Sequence, residues 1–147
     1  MIEVPYDLKE VVQDTCLTGS RVICTPPVLD TDLDIVVLVN DYKVRVDIEA
    51  LGYTLTSKDY GDAGEFYCYR KGDINLIVTD QPQWFEKWRS TTELAKSLNL
   101  KTKAYRAFFF SVLVDGVHSE FAYQRFIQDD PTPSDLPVRL LPFPAPS

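Results

Sequence analysis

Leu17-Thr18-Gly19-Ser20-Arg21, followed after a Pro-rich loop by Asp30-Thr31-Asp32-Leu33-Asp34-Ile35-Val36-Val37-Leu38-Val39, is the stretch on which the reading of this chain turns. On a strand, side chains at i and i+2 share a face and sit roughly 6–7 Å apart. Asp32 and Asp34 therefore project together. The apolar run from Ile35 to Val39 suits a central strand buried on both faces, which puts the two carboxylates where that strand meets solvent. Mg²⁺ is a hard cation, commonly held by one or two carboxylates together with substrate phosphates, and an Asp-x-Asp pair supplies such ligands. Gly19 lets backbone approach a phosphate closely, and Ser20 adds a hydroxyl and an N–H as donors. The same residues also fit an acidic loop, Asp30 to Asp34, that only solubilises a strand end.

Gly19-Ser20, an intervening loop and Asp32-x-Asp34 ahead of an apolar strand resemble the nucleotidyltransferase superfamily, the DNA polymerase β-like fold, and within it the small single-domain enzymes. The resemblance spans residues 8–80. It implies an α/β (α+β) fold: a small mixed β-sheet with helices packed against it. It also implies that Gly19 and Ser20 contact a triphosphate, that Asp32 and Asp34 bind Mg²⁺ or Mn²⁺, and that a third carboxylate on a neighbouring strand completes the site. The activity implied is transfer of a nucleoside monophosphate from an NTP to a hydroxyl acceptor on a protein, an RNA or a small molecule. No residue selects among these acceptors.

A length of 147 residues with 45% hydrophobic and 12% aromatic residues fits one domain with a real core. The expected division is a nucleotidyltransferase-like domain over residues 1–130 and an extended or disordered tail over 131–147, where six prolines leave no helix or central strand possible. No apolar run approaches a membrane span and Met1 to Leu8 lacks the pattern of a signal segment, so a cytoplasmic protein without membrane contact is expected. Three cysteines, Cys16, Cys24 and Cys68, form no C-x-x-C and read as buried small hydrophobes. The one histidine, His118, has no partner pattern for catalysis and reads as a surface or capping residue. A net charge of −7 argues against sequence-independent nucleic-acid binding. Lys87, Arg89, Lys96, Lys101, Lys103 and Arg106 nevertheless cluster in one stretch with Glu93 as its only acid. Any one of them suits a solvated helix face; Arg21, Lys101 and Arg106 are the candidates to meet a triphosphate.

Pattern places a short helix at Pro5 to Val12, at most one helical turn after Gly19-Ser20, and a helix capped by Asn40 or Asp41 with Val44, Ile48 and Leu51 inward. Strands follow at Tyr53 to Thr56 and Glu65 to Arg70, with an exposed connection over Ser57 to Gly64. Asp80 with Gln83 resembles a capping box opening a helix whose stripe is Trp84, Trp88, Thr91, Ala95 and Leu98, with the Trp pair read as core rather than as a base-stacking platform. Helices at Thr102 to Val114 and Ser119 to Ile127 complete the pattern.

Between them Asp73 to Thr79 reads as a strand with Asp73, Asn75, Ile77 and Thr79 on one face. The superfamily's third carboxylate belongs there, and its best match is Asn75. An amide is a weaker metal ligand and cannot act as a base. Asp73, one pleat nearer the turn, is the substitute. The catalytic candidates are thus Asp32, Asp34, Asp73 and Asn75. Three functions remain open: a metal-dependent nucleotidyltransferase, a catalytically degenerate relative that binds a nucleotide or a protein partner, or a structural or interaction protein with no nucleotide, which only the acidic charge and the Pro-rich tail favour.

Overall fold

Ile35, Val36 and Val37 have no exposed surface, so the strand they belong to is covered on both faces, and the fold is built outward from it. A computed structural model describes residues 3–24, 32–61 and 64–128. In chain order the elements are α1 (Tyr6–Val11), β1 (Asp14–Thr18), α2 (Ser20–Ile23), β2 (Leu33–Leu38), a 3-10 turn (Tyr42–Val44), α3 (Arg45–Ala50), β3 (Thr54–Gly61), β4 (Gly64–Lys71), β5 (Ile74–Thr79), α4 (Pro82–Leu98), α5 (Lys103–Leu113) and α6 (Ser119–Phe126). The five strands form one mixed sheet in the order β1-β2-β5-β4-β3. Only β2 and β5 run parallel; the other pairs are antiparallel. This is an α+β fold, as the sequence leads one to expect.

Alternation along β2 and β5 divides the core. Leu33, Ile35 and Val37 join Leu76 and Val78 on one face, closed by Leu8 of α1 and Ile48 of α3. On the other face Cys16, Val36 and Leu38 pack against Phe85 of α4. Beside it a second cluster forms from Ile23 of α2, Ala95 of α4, Tyr105, Phe108 and Phe109 of α5, and Ala122 of α6. Burying such side chains contributes roughly 1.5–3 kcal/mol each, so the two-sided covering of β2 makes it the least replaceable strand.

Asp41 accepts from the Lys43 N–H and so caps the 3-10 turn ahead of α3. α2 is one turn long, and Asn99, in the left-handed region, ends α4. His118 caps α6, its Nδ1 accepting from the Glu120 N–H at 3.2 Å. Three expectations are corrected. The strands β3 and β4 pair from Thr54↔Arg70 as far as Gly61↔Gly64, so the connection expected over Ser57 to Gly64 is mostly hairpin ladder. Asp80 does not cap α4: Gln81 is the N-cap residue with no side-chain cap, and its Nε2 donates to Asp80 Oδ1. Cys68 is half-buried, since its strand has one open face, whereas Cys16 and Cys24 are buried. None of the three forms a disulfide. Among the described residues no helix is long and apolar enough to cross a membrane. The tail expected over 131–147 lies outside the described residues.

Candidate functional site

Register aligns the site. Thr18 pairs with Asp34, Asp34 with Asn75, and Asn75 with Arg70, so one row crosses β1, β2, β5 and β4. Side chains in such a row share a face. Two residues further into the sheet the corresponding row is Cys16, Val36, Ile77 and Cys68, which is apolar. The start of β2 is fixed by the Leu33 N–H donating to the Asp73 carbonyl in the β4–β5 turn at 2.8 Å.

Over the first row opens a cavity of about 580 Å³. Its polar side is lined by Gly19, Ser20, Asp32, Asp34, Asn75, Lys103 and Arg106, its apolar side by Ile77, Trp88, Ala107 and Phe110. The paired carboxylates differ in environment. Arg70 donates to both oxygens of Asp32, at 2.6 and 3.1 Å, and this holds the Asp32 carboxyl below the ordinary carboxylate range. Burial pushes Asp34 the other way, only partly offset by the Asn75 amide donating to its Oδ1 at 3.1 Å. The Asp32 charge adds to the rise.

Gly19 adopts φ +82° and ψ −176°, a conformation that is essentially glycine's alone. A Cβ on it would run into the Asp34 carboxylate. The glycine thus makes room for the acid as well as turning the chain into α2.

The other expected residues divide. Arg106 lines the cavity and is anchored by Nη1 to the carbonyls of Leu100 and Lys101 at 2.8 and 2.6 Å. Lys101 contributes that carbonyl, and its side chain is outside the lining. Arg21 pairs with Asp73 at 2.8 Å, and neither lines the cavity. The Asp73 side chain is 63% exposed. Asn75 is in register with Asp34 and lines the cavity. Sequence reading passes over Arg70 and Phe110 and assigns Trp88 to the core. Lys103 belongs to the basic stretch, and Arg70 was reachable only through strand pairing, because it stands 38 residues from Asp32.

Asp32 and Asp34 fit a divalent metal. They line one cavity from one strand end; the Asp34 carboxylate is half-buried beside Asn75 with no cationic side chain bonded to it among the described residues, whereas both Asp32 oxygens accept from Arg70, which a metal would have to displace or share. Among these residues no group of three or more His, Cys, Asp or Glu is placed to share an ion. Two carboxylates alone leave most of a hard cation's oxygen positions to be filled from outside the chain. Comparison of the chain with models of protein families, with curated proteins and with solved structures gives no match.

Proposed function

We propose that the chain is a metal-dependent nucleotidyltransferase, moving a nucleoside monophosphate from an NTP to a hydroxyl acceptor. The observation that carries this reading is the convergence, in one cavity, of Gly19-Ser20, Asp32-x-Asp34 and the cations Lys103 and Arg106. In this reading Asp32 and Asp34 hold Mg²⁺ or Mn²⁺. A divalent cation there supplies Lewis acidity and offsets charge on the leaving pyrophosphate. Ser20 donates to phosphate oxygens, the open backbone at Gly19 lets them approach, and Lys103 and Arg106 balance their charge. The acceptor oxygen forms a bond to the α-phosphorus as the bond to the bridging oxygen breaks, and pyrophosphate leaves with that electron pair. Asp34 is the carboxylate of the cavity lining left to take the acceptor's proton, because both oxygens of Asp32 accept from Arg70.

Asn75 favours a second reading, a degenerate relative that binds a nucleotide without transferring it. Its amide donates to Asp34 and accepts no proton at neutral pH. Asp73, engaged with Arg21, does not replace it. Incubation with α-labelled NTPs, Mg²⁺ or Mn²⁺ and protein, RNA and small-molecule acceptors tests the first reading. Label is expected to move to one acceptor, and Asn75→Asp is expected to raise the rate at least ~10-fold by adding a charged oxygen in Asp34's register. Asp73→Ala is expected to leave the rate within about twofold. Mg²⁺-dependent NTP binding with no transfer in any of the three proteins would select the second reading.

A further inference from the structure

The apolar half of the cavity has no use in handling a metal and a triphosphate. It lies one residue pair deeper along the strands than the polar row: Asn75 and Ile77 are i and i+2 on β5, roughly 6–7 Å apart. Above Ile77 stand Trp88 of α4 and Phe110 of α5, ring centroids 4.9 Å apart and planes at 37°. Trp88 flanks the cluster under α4, and Phe110 flanks the cluster between α5 and α6. The two clusters meet at this ring pair, and the cavity opens beside it. The two tryptophans, read alike from sequence, differ here: Trp84 is 5% exposed and stacks on Phe66 at 4.9 Å and 16°, while Trp88 is half-buried and lines the cavity.

We infer that Trp88 and Phe110, over Ile77, form the seat of the nucleobase, and that they grip it through its aromatic face. The inference rests on the nucleotide reading of the polar row. A flat aromatic group joined to a triphosphate spans a polar row and the adjacent apolar row of one cavity, and 580 Å³ lies within the range of pockets that hold ligands of this size. Aromatic platforms accept every base because each has a π-face, with preference following stacking strength. The wall therefore ranks purine above pyrimidine nucleotides and separates ATP from GTP only weakly.

Calorimetry with Mg²⁺·ATP and with base-free Mg²⁺·tripolyphosphate tests the inference, joined by tryptophan fluorescence in Trp84→Phe and Trp88→Phe. The wild-type protein is expected to bind ATP about tenfold or more tighter than tripolyphosphate. Trp88→Ala is expected to bring ATP down to the tripolyphosphate value while leaving tripolyphosphate unchanged. Addition of ATP should change the emission of Trp84→Phe, which retains Trp88, and leave that of Trp88→Phe unaltered. Should Trp88→Ala fold poorly, the fluorescence pair decides alone. Equal wild-type affinities for ATP and tripolyphosphate, or equal weakening of both by Trp88→Ala, would overturn the base seat and leave the triphosphate site standing. Binding of neither ligand would remove the nucleotide reading itself, and the base seat with it.

Discussion

Asp34→Asn is expected to abolish Mg²⁺-dependent NTP binding, by more than ~100-fold, while making the protein more stable near neutral pH. The loss follows because Asp34 is the half-buried acid of the pair that no cationic side chain holds among the described residues, and its charge is what a divalent cation would neutralise. The gain follows because burial raises the Asp34 pKa above its ordinary 3.8, with the Asp32 charge adding to the rise. An acid raised in the native state is more protonated folded than unfolded between those two values. Wild-type stability from this group therefore improves as pH falls through that window and is penalised above it. Asn carries no such penalty, and it keeps an oxygen to accept from Asn75. The stability difference between variant and wild type should shrink as pH is lowered, which urea denaturation at several pH values will measure. A variant less stable than wild type at neutral pH, or one that still binds Mg²⁺·ATP normally, would contradict the account.

Gly19→Ala is expected to destabilise the fold by at least ~2 kcal/mol, since a non-glycine residue in this backbone region costs on the order of 1–3 kcal/mol before any collision. The added Cβ also meets the Asp34 carboxylate. For a domain of this size such a loss lowers Tm by roughly 4–8 °C. The two contributions separate in a double-mutant cycle: in an Asp34→Ala background the carboxylate is gone and only the backbone cost remains. A coupling of about 1 kcal/mol or more between the positions is expected. Strict additivity would mean that Gly19 serves the turn alone and has no part in admitting the acid.

These two residues were legible from the sequence because their signal is local. Glycine before serine and two acids at i and i+2 ahead of an apolar run declare a face and a strand end without knowledge of the rest. The helix stripes were legible for the same reason, as was Asn75, through the alternation of its own strand. Arg70 was not, because what brings it to Asp32 is the β4–β5–β2 register rather than spacing. Trp88 was read as core because a helical stripe gives the direction of a side chain but not whether the neighbouring helix closes over it. Lys101 stands ahead of α5, whereas Lys103 opens it three residues before Arg106 and so shares a helix face with it, and where the helix begins decides between the two. The length of the β3–β4 hairpin was hidden by glycine and aspartate, residues that favour turns and yet sit here in ladder positions.

The one parallel pair in the sheet bears on when the site comes into being. β3, β4 and β5 follow one another as neighbours, so they can zip through short connections. β2 must then find β5 across an intervening helix and hairpin, and the contacts that join the two halves of the polar row are long-range: Asp34 to Asn75 is 41 residues and Asp32 to Arg70 is 38, while Thr18 and Thr92 of α4, whose hydroxyls bond at 2.8 Å, are 74 apart. Non-local pairs of this kind incur their loop entropy before they return any stabilisation. The β3–β4–β5 pairs can therefore form first, and the cavity only once β2 has joined β5. In pulse-labelling hydrogen exchange during refolding, the amides between β4 and β5 should accordingly gain protection before those of the β2–β5 seam.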